Sequence, residues 1–135
     1  MDLELTAVEK IRANAQLVID RFSALSEPRR NFGYDQQSVM QVEGFIERQR
    51  STPDVAPDNR AKLIQALGSY LGECIIHTYG GVWRQQDDQW GIFFDDSNAV
   101  FPFNKVKKQF QNGLAGGDSI VSFFELIGPV IFKKP

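Results

Sequence analysis

The sequence predicts an α+β domain. N-terminal helices and a long central helix pack on a three-stranded antiparallel meander, with two short C-terminal helices after it. Three observations carry this reading. Apolar residues recur at three- and four-residue steps from Val8 to Ile75. After Gly81 the pattern turns extended, aromatic and β-branched. From Lys105 helical spacing returns around a glycine-rich loop.

The first helix is expected from Thr6 to Leu25. Thr6 and Glu9 have the spacing of a capping box, and Val8, Ile11, Ala15, Val18, Phe22 and Leu25 form one apolar stripe. Pro28 stops it, and Arg29 to Tyr34 reads as a loop. A second helix runs from Asp35 or Ser38 to Arg50, with Val39, Val42 and Phe45/Ile46 inward and Glu43, Glu47, Arg48 and Arg50 on its wet side. Ser51 to Asn59, with Pro53 and Pro57, reads as a flexible loop too short to separate two domains.

The third helix starts near Asp58 and ends at Gly80-Gly81. Leu63, Ala66/Leu67, Tyr70/Leu71, Cys74 and Ile75 give it an apolar surface wide enough for a central helix. Gly68 and Gly72 share one face. Each costs about 1 kcal/mol relative to alanine, so close approach of another backbone is expected there. Val82–Arg84, Trp90–Phe94 and Ala99–Phe103 read as the meander, with turns at Gln86–Gln89 and Asp95–Asn98. Pro102 is expected at the end of an edge strand. Asn104 caps a short helix from Lys105 to Asn112 that turns Val106 and Phe110 inward and its lysines outward. Gly113 to Gly117 is a loop, and Asp118 caps a last helix carrying Ile120, Phe123, Phe124 and Ile127, closed by Gly128-Pro129. Eight of the eleven phenylalanines lie from Phe93 onward, so the core is expected where the meander meets the third and last helices.

The 135 residues make one domain, with a helical N-terminal part over 1–50 and a core over 58–128. Fifteen Lys and Arg against seventeen Asp and Glu argue against nucleic acid as a partner, because phosphate binding calls for a basic patch. The charge is uneven. From Ser69 to Asn104, Arg84 is the one Lys or Arg against Glu73, Asp87, Asp88, Asp95 and Asp96, whereas Lys105, Lys107, Lys108, Lys133 and Lys134 outnumber Asp118 and Glu125 beyond it. The single Cys74 forms no internal disulfide, and Met1 to Glu4 lacks the basic start of a signal peptide. No stretch has the length of a membrane span, and the expectation is a cytoplasmic protein.

Glu73 and His77 lie one helical turn apart, a spacing that lets both ligate a metal or share a proton. The plainer reading is a partly buried histidine hydrogen-bonded to Glu73 at a helix end. A Cys74–His77 nucleophile and base lacks an orienting third group, and no G-x-S-x-G elbow is present. Asp87-Asp88 and Asp95-Asp96 are carboxylate pairs, but they sit in turns separated by roughly 17 Å of strand and form no single dyad. Gly113-Leu114-Ala115-Gly116-Gly117 before a helix has the look of a phosphate loop without its lysine, and a plain loop fits better. Trp83, Trp90, Tyr79 and Tyr34 read as core or as a binding surface, with the two tryptophans near neighbours across the first hairpin.

Gly68-Ser69-Tyr70-Leu71-Gly72-Glu73, then Gly80-Gly81-Val82-Trp83, Phe101-Pro102-Phe103 and Asn112-Gly113 together resemble the pattern of a family of small bacterial domains of unknown function. The resemblance covers about residues 60–127 and leaves out the first helices. It implies a bacterial cytosolic context without an established enzymatic activity, and it singles out Glu73. The functional expectation is a non-enzymatic protein-interaction module, in its sharper form an immunity-like protein whose acidic middle covers a cationic partner protein. No cofactor or metal is expected. The alternatives are a small hydrolase or metal-dependent enzyme centred on Glu73 and His77, and a structural subunit of a homodimer. The candidate surface is Glu73, His77, Asp87, Asp88, Asp95 and Asp96.

Overall fold

The computed structural model describes residues 6–25, 32–52 and 57–131. The helix stop at Pro28, the loop residues Arg29–Asn31, Pro53, Met1 to Glu4 and Lys133-Lys134 lie outside the described residues. The order is α1 (Ala7–Leu25), α2 (Gln36–Arg50), α3 (Pro57–Tyr79), β1 (Val82–Gln86), β2 (Gln89–Phe93), β3 (Ala99–Val100), α4 (Pro102–Asn112), a 3₁₀ turn at Leu114–Gly116 and α5 (Ile120–Ile131). The three strands form one antiparallel sheet in sequence order.

α1 begins as its capping box requires: the Glu9 amide donates to Thr6 Oγ1 at 3.1 Å, and the Thr6 amide donates to Glu9 Oε1 at 3.3 Å. α2 takes Asp35 as N-cap, its carboxylate accepting from the Ser38 amide at 2.8 Å. α3 is the hub. Leu67, Tyr70, Leu71, Cys74 and Ile75 are buried, with α1, α4 and the sheet packed around them. α3 ends at Gly80 and Gly81, both left-handed at φ +87° and +99°.

The close approach expected at Gly68 and Gly72 is present, and a different partner fills each notch. A Cβ on Gly68 would lie 2.9 Å from the backbone Cα of Phe103 in α4 and 2.4 Å from its ring. A Cβ on Gly72 would lie 2.1 Å from the indole of Trp83, so there a side chain occupies the space. These notches let the sheet and α4 sit directly on α3.

The chain turns from β1 to β2 through Asp87 and Asp88, both with positive φ (51° and 64°). That is the two-residue turn whose twist matches paired strands. Register pairs Trp83 with Ile92 and Gln85 with Trp90, which puts the tryptophans diagonally on one face.

Four expectations are corrected. The third strand ends at Val100, and Pro102 opens α4 at N1, where its fixed φ suits a helix start and its missing N–H costs nothing. Asn104 therefore lies within α4 and does not cap it. Ser119, not Asp118, caps α5: its hydroxyl accepts from the Ser122 amide at 3.1 Å, while Asp118 turns back to Lys105 at 3.1 Å and Asn112 at 2.8 Å. α5 continues through Pro129 to Ile131. Proline there frees the Glu125 carbonyl from its helical donor, one turn from the helix end and at an exposed residue.

Glu43 and Glu47 are half-buried instead of wet. Glu43 accepts from the Ser119 hydroxyl at 2.5 Å and the Val121 amide at 3.3 Å. Glu47 accepts from the Leu114 amide at 3.4 Å and from the fully buried Gln109 at 3.1 Å, and Gln109 in turn accepts from the Ile120 amide at 2.8 Å. The acidic side of α2 thus holds the α4–α5 connection and the start of α5, where carboxylates also suit the helix dipole.

Candidate functional site

Glu73 projects from α3 between α1 and the sheet. It is 7% exposed. A carboxylate so placed needs partners, because desolvation of an unpaired charge is costly. Trp83 supplies the main one, its indole Nε1 donating to Oε2 at 2.8 Å. Arg12 Nε of α1 stands 4.0 Å from the same oxygen. His77 Nε2 stands 4.0 Å from Oε1, within ion-pair range and beyond hydrogen-bond length. The expected Glu73–His77 hydrogen bond is therefore replaced by one from Trp83, and the histidine ring stacks on Tyr34 at 4.4 Å between centroids. The stack continues through Tyr70 and Phe32 to Phe22.

The electrostatics follow from burial. Desolvation, reinforced by the Glu73 charge, pushes the Tyr34 hydroxyl up to about 12. Burial likewise pushes the Cys74 thiol up to about 12, which removes the thiolate a nucleophile needs. The cluster's chemistry is that of a charge anchor. Oε2 is engaged by an indole N–H, and a proton passing between Oε1 and His77 would have to cross a bridging water. Among the described residues no group of three or more His, Cys, Asp and Glu side chains converges as a metal-binding set.

The other sequence candidates lie apart from this cluster. Asp87 and Asp88 are exposed at the tip of the first hairpin. Asp95 serves its own turn, accepting from the amides of Ser97 at 2.7 Å and Asn98 at 2.8 Å; the Asn98 side chain first, and then these backbone bonds, hold its carboxyl below the usual range. Asp96 pairs with Arg84 at 3.2 Å. The two turns cap opposite ends of β2, so the six candidates form no single surface, and Glu73 is turned inward. The Gly113–Gly117 segment is a structural connection, as its Leu114 amide already points at Glu47.

Sequence reasoning placed the last helix but missed its outer flank as a functional surface. Ile120, Phe124 and Ile127 are buried, but Leu126 is 56% and Val130 68% exposed. A groove of about 280 Å³ runs beside them, lined also by Phe123, Ile131 and Val100 of β3. The signal was present: α5 carries apolar residues around its circumference, more than one buried flank can use.

Compared with protein-family models, with curated proteins and with solved structures, the chain matches none. No helix among the described residues is long and apolar enough to cross a membrane.

Proposed function

We propose that the protein is a non-enzymatic protein-interaction module of the immunity-like kind, and that it docks its partner on the outer flank of α5. The exposure of Leu126 and Val130 carries this reading. Burying each of two such side chains is worth about 1.5–3 kcal/mol, a driving force left unspent in the isolated chain. The partner segment is apolar where it enters the groove and basic at its border. The one charged side chain lining the groove, Lys105, is paired with Asp118 at 3.1 Å, and the turn bearing Asp95 and Asp96 leads straight into β3, whose Val100 lines the groove, so the acidic border lies at that end. Asp87 and Asp88, at the other end of β2, contribute to long-range steering alone.

The test compares the wild-type chain with the double variant Leu126→Glu, Val130→Glu in affinity capture at low and high salt, with melting curves alongside. The expected result is capture of a basic protein by the wild type, weakened by salt and lost in a variant that melts unchanged. Equal capture by both forms would overturn the reading. So would light scattering that finds a dimer, against a chain mass of 15.3 kDa, which the variant dissolves; the face would then belong to a second copy.

A further inference from the structure

A second concavity, sharing no lining residue with the α5 groove, opens where α1, α3, the first hairpin and the start of α4 meet. Its volume is about 440 Å³, inside the range of small-molecule sites. Trp90, Phe101 and Phe103 supply its apolar walls. Two of these rings are held by glycines. Phe101 lies on Gly91, where a Cβ would meet the ring at 2.7 Å, and Phe103 lies on Gly68, where a Cβ would meet it at 2.4 Å. Each ring thus occupies the space that a side chain at the glycine would fill, and these two aromatic walls are part of the packed fold.

The uncharged polar lining is of one chemical kind. Asn14 of α1, Gln65 of α3, Gln89 of β2 and Asn104 of α4 bring four carboxamides to the same space. Gln65, Gln89 and Asn104 are exposed and Asn14 is half-buried, and among the described residues none of the four side chains hydrogen-bonds to another protein group, so they face an incoming ligand across solvent. A carboxamide donates through its nitrogen and accepts through its oxygen, so it matches groups that also do both. Hydroxyls are such groups. The charges present, Lys10 and Asp88, are of opposite sign, so the concavity does not select a multiply charged anion.

We infer that this concavity, walled by Trp90, Phe101 and Phe103 and edged by Asn14, Gln65, Gln89 and Asn104, is a binding site for a neutral hydroxylated ring of the sugar class. The C–H face of a pyranose lies against the aromatic walls, and its hydroxyls exchange hydrogen bonds with the carboxamides. The volume holds one or two rings. The site is open, and the interactions are few and neutral, so affinity is modest.

The two tryptophans make the inference measurable, because Trp83 is buried against Gly72 and Trp90 lines the concavity. The experiment titrates the full chain with the methyl glycosides of glucose, galactose, mannose and N-acetylglucosamine and with cellobiose and chitobiose, up to about 10 mM. Intrinsic fluorescence and amide NMR shifts are followed, with indole-3-acetate as the planar anionic comparison. The expected result is saturable binding of at least one sugar, with NMR shifts at Asn14, Gln65 and Trp90. Affinity should fall about tenfold or more in Asn14→Ala and in Trp90→Ala, both checked for an unchanged fold by circular dichroism. Gln89→Ala, at the exposed rim, offers a milder variant should Trp90→Ala unfold. Absence of saturable binding by every sugar overturns the inference. So does sugar binding that the variants leave intact, or binding of indole-3-acetate alone.

Discussion

The indole N–H of Trp83 reaches Glu73 Oε2 at 2.8 Å because position 72, one residue earlier on α3, has no side chain to block the ring. The glycine notch, the tryptophan and the buried carboxylate are one structural unit that ties the sheet to the central helix. Trp83→Phe keeps a smaller aromatic ring and removes the donor, leaving Glu73 Oε2 its hydrogen bond short, with the Arg12 guanidinium 4.0 Å away. A loss of about 1–3 kcal/mol in urea denaturation is expected. In a double-mutant cycle with Glu73→Leu, which removes the acceptor, the two losses should be less than additive, since each removes the same bond.

Gly72 within α3 and Gly80 just past its end separate two kinds of cost. Gly72→Ala forces the Trp83 ring aside, so a loss of about 1–3 kcal/mol is expected, together with a red shift of tryptophan emission. Gly80→Ala meets no atom within 4 Å, and its cost comes from φ +87° alone, at roughly 1 kcal/mol with no spectral change. Equal losses and equal spectra in the two variants would mean that Trp83 does not occupy the Gly72 notch.

The hairpin turn places two aspartates in the left-handed region that glycine adopts freely. Asp88→Gly is expected to raise stability, by less than about 1 kcal/mol because aspartate already tolerates this region better than most residues. A higher denaturation midpoint at an unchanged slope is the readout.

Alkaline pH should destabilise the fold through its interior. The Cys74 thiol and the Tyr34 hydroxyl are both pushed up to about 12 by burial, and Tyr70 is pushed up further, its hydroxyl donating to the Gly33 carbonyl at 2.6 Å. Raised folded-state values mean the folded chain holds these protons longer than the unfolded one. Their stabilisation is complete below the ordinary thiol value of 9.0 and is lost as pH climbs toward about 12. Cys74 should accordingly resist a thiol-disulfide reagent near pH 8 in the native protein and react at once in denaturant.

At the acid end the sign reverses. Asn112 and Lys105 hold the Asp118 carboxyl below its ordinary 3.8. Its contribution is present above that value and disappears as pH falls through the lowered one. Asp118→Asn should therefore remove part of the acid-induced fall in melting temperature while leaving the alkaline limb unchanged.

The element order was legible in the sequence wherever a local rule acted alone. The Thr6–Glu9 box and the Gly80-Gly81 stop depend on neighbours within a helical turn, and each is found where the residues put it; the start of α2, open between Asp35 and Ser38, is fixed by the Asp35 cap. Pro102 was misread because a proline suits both a strand end and the first turn of a helix, and the packing of Phe103 onto Gly68 selects the helix. Glu43 and Glu47 were misread because a carboxylate on a helix face looks solvated until the α4–α5 connection folds over it. The candidate site was legible as to Glu73 but not as to its partner. Histidine at the next turn was the nearest choice along the chain, whereas tryptophan ten residues on is the nearest in space.

By itself the sequence determined the helices, the meander, the notches of α3 and the lack of an internal disulfide, because these follow from periodicity, caps and residue counts. Only the tertiary structure decided that Glu73 is an inward anchor held by Trp83, that Glu43 and Glu47 hold the α4–α5 connection, and that α5 keeps an apolar flank in water. Burial and charge pairing are properties of distance in three dimensions, and a linear pattern holds no record of which surfaces meet.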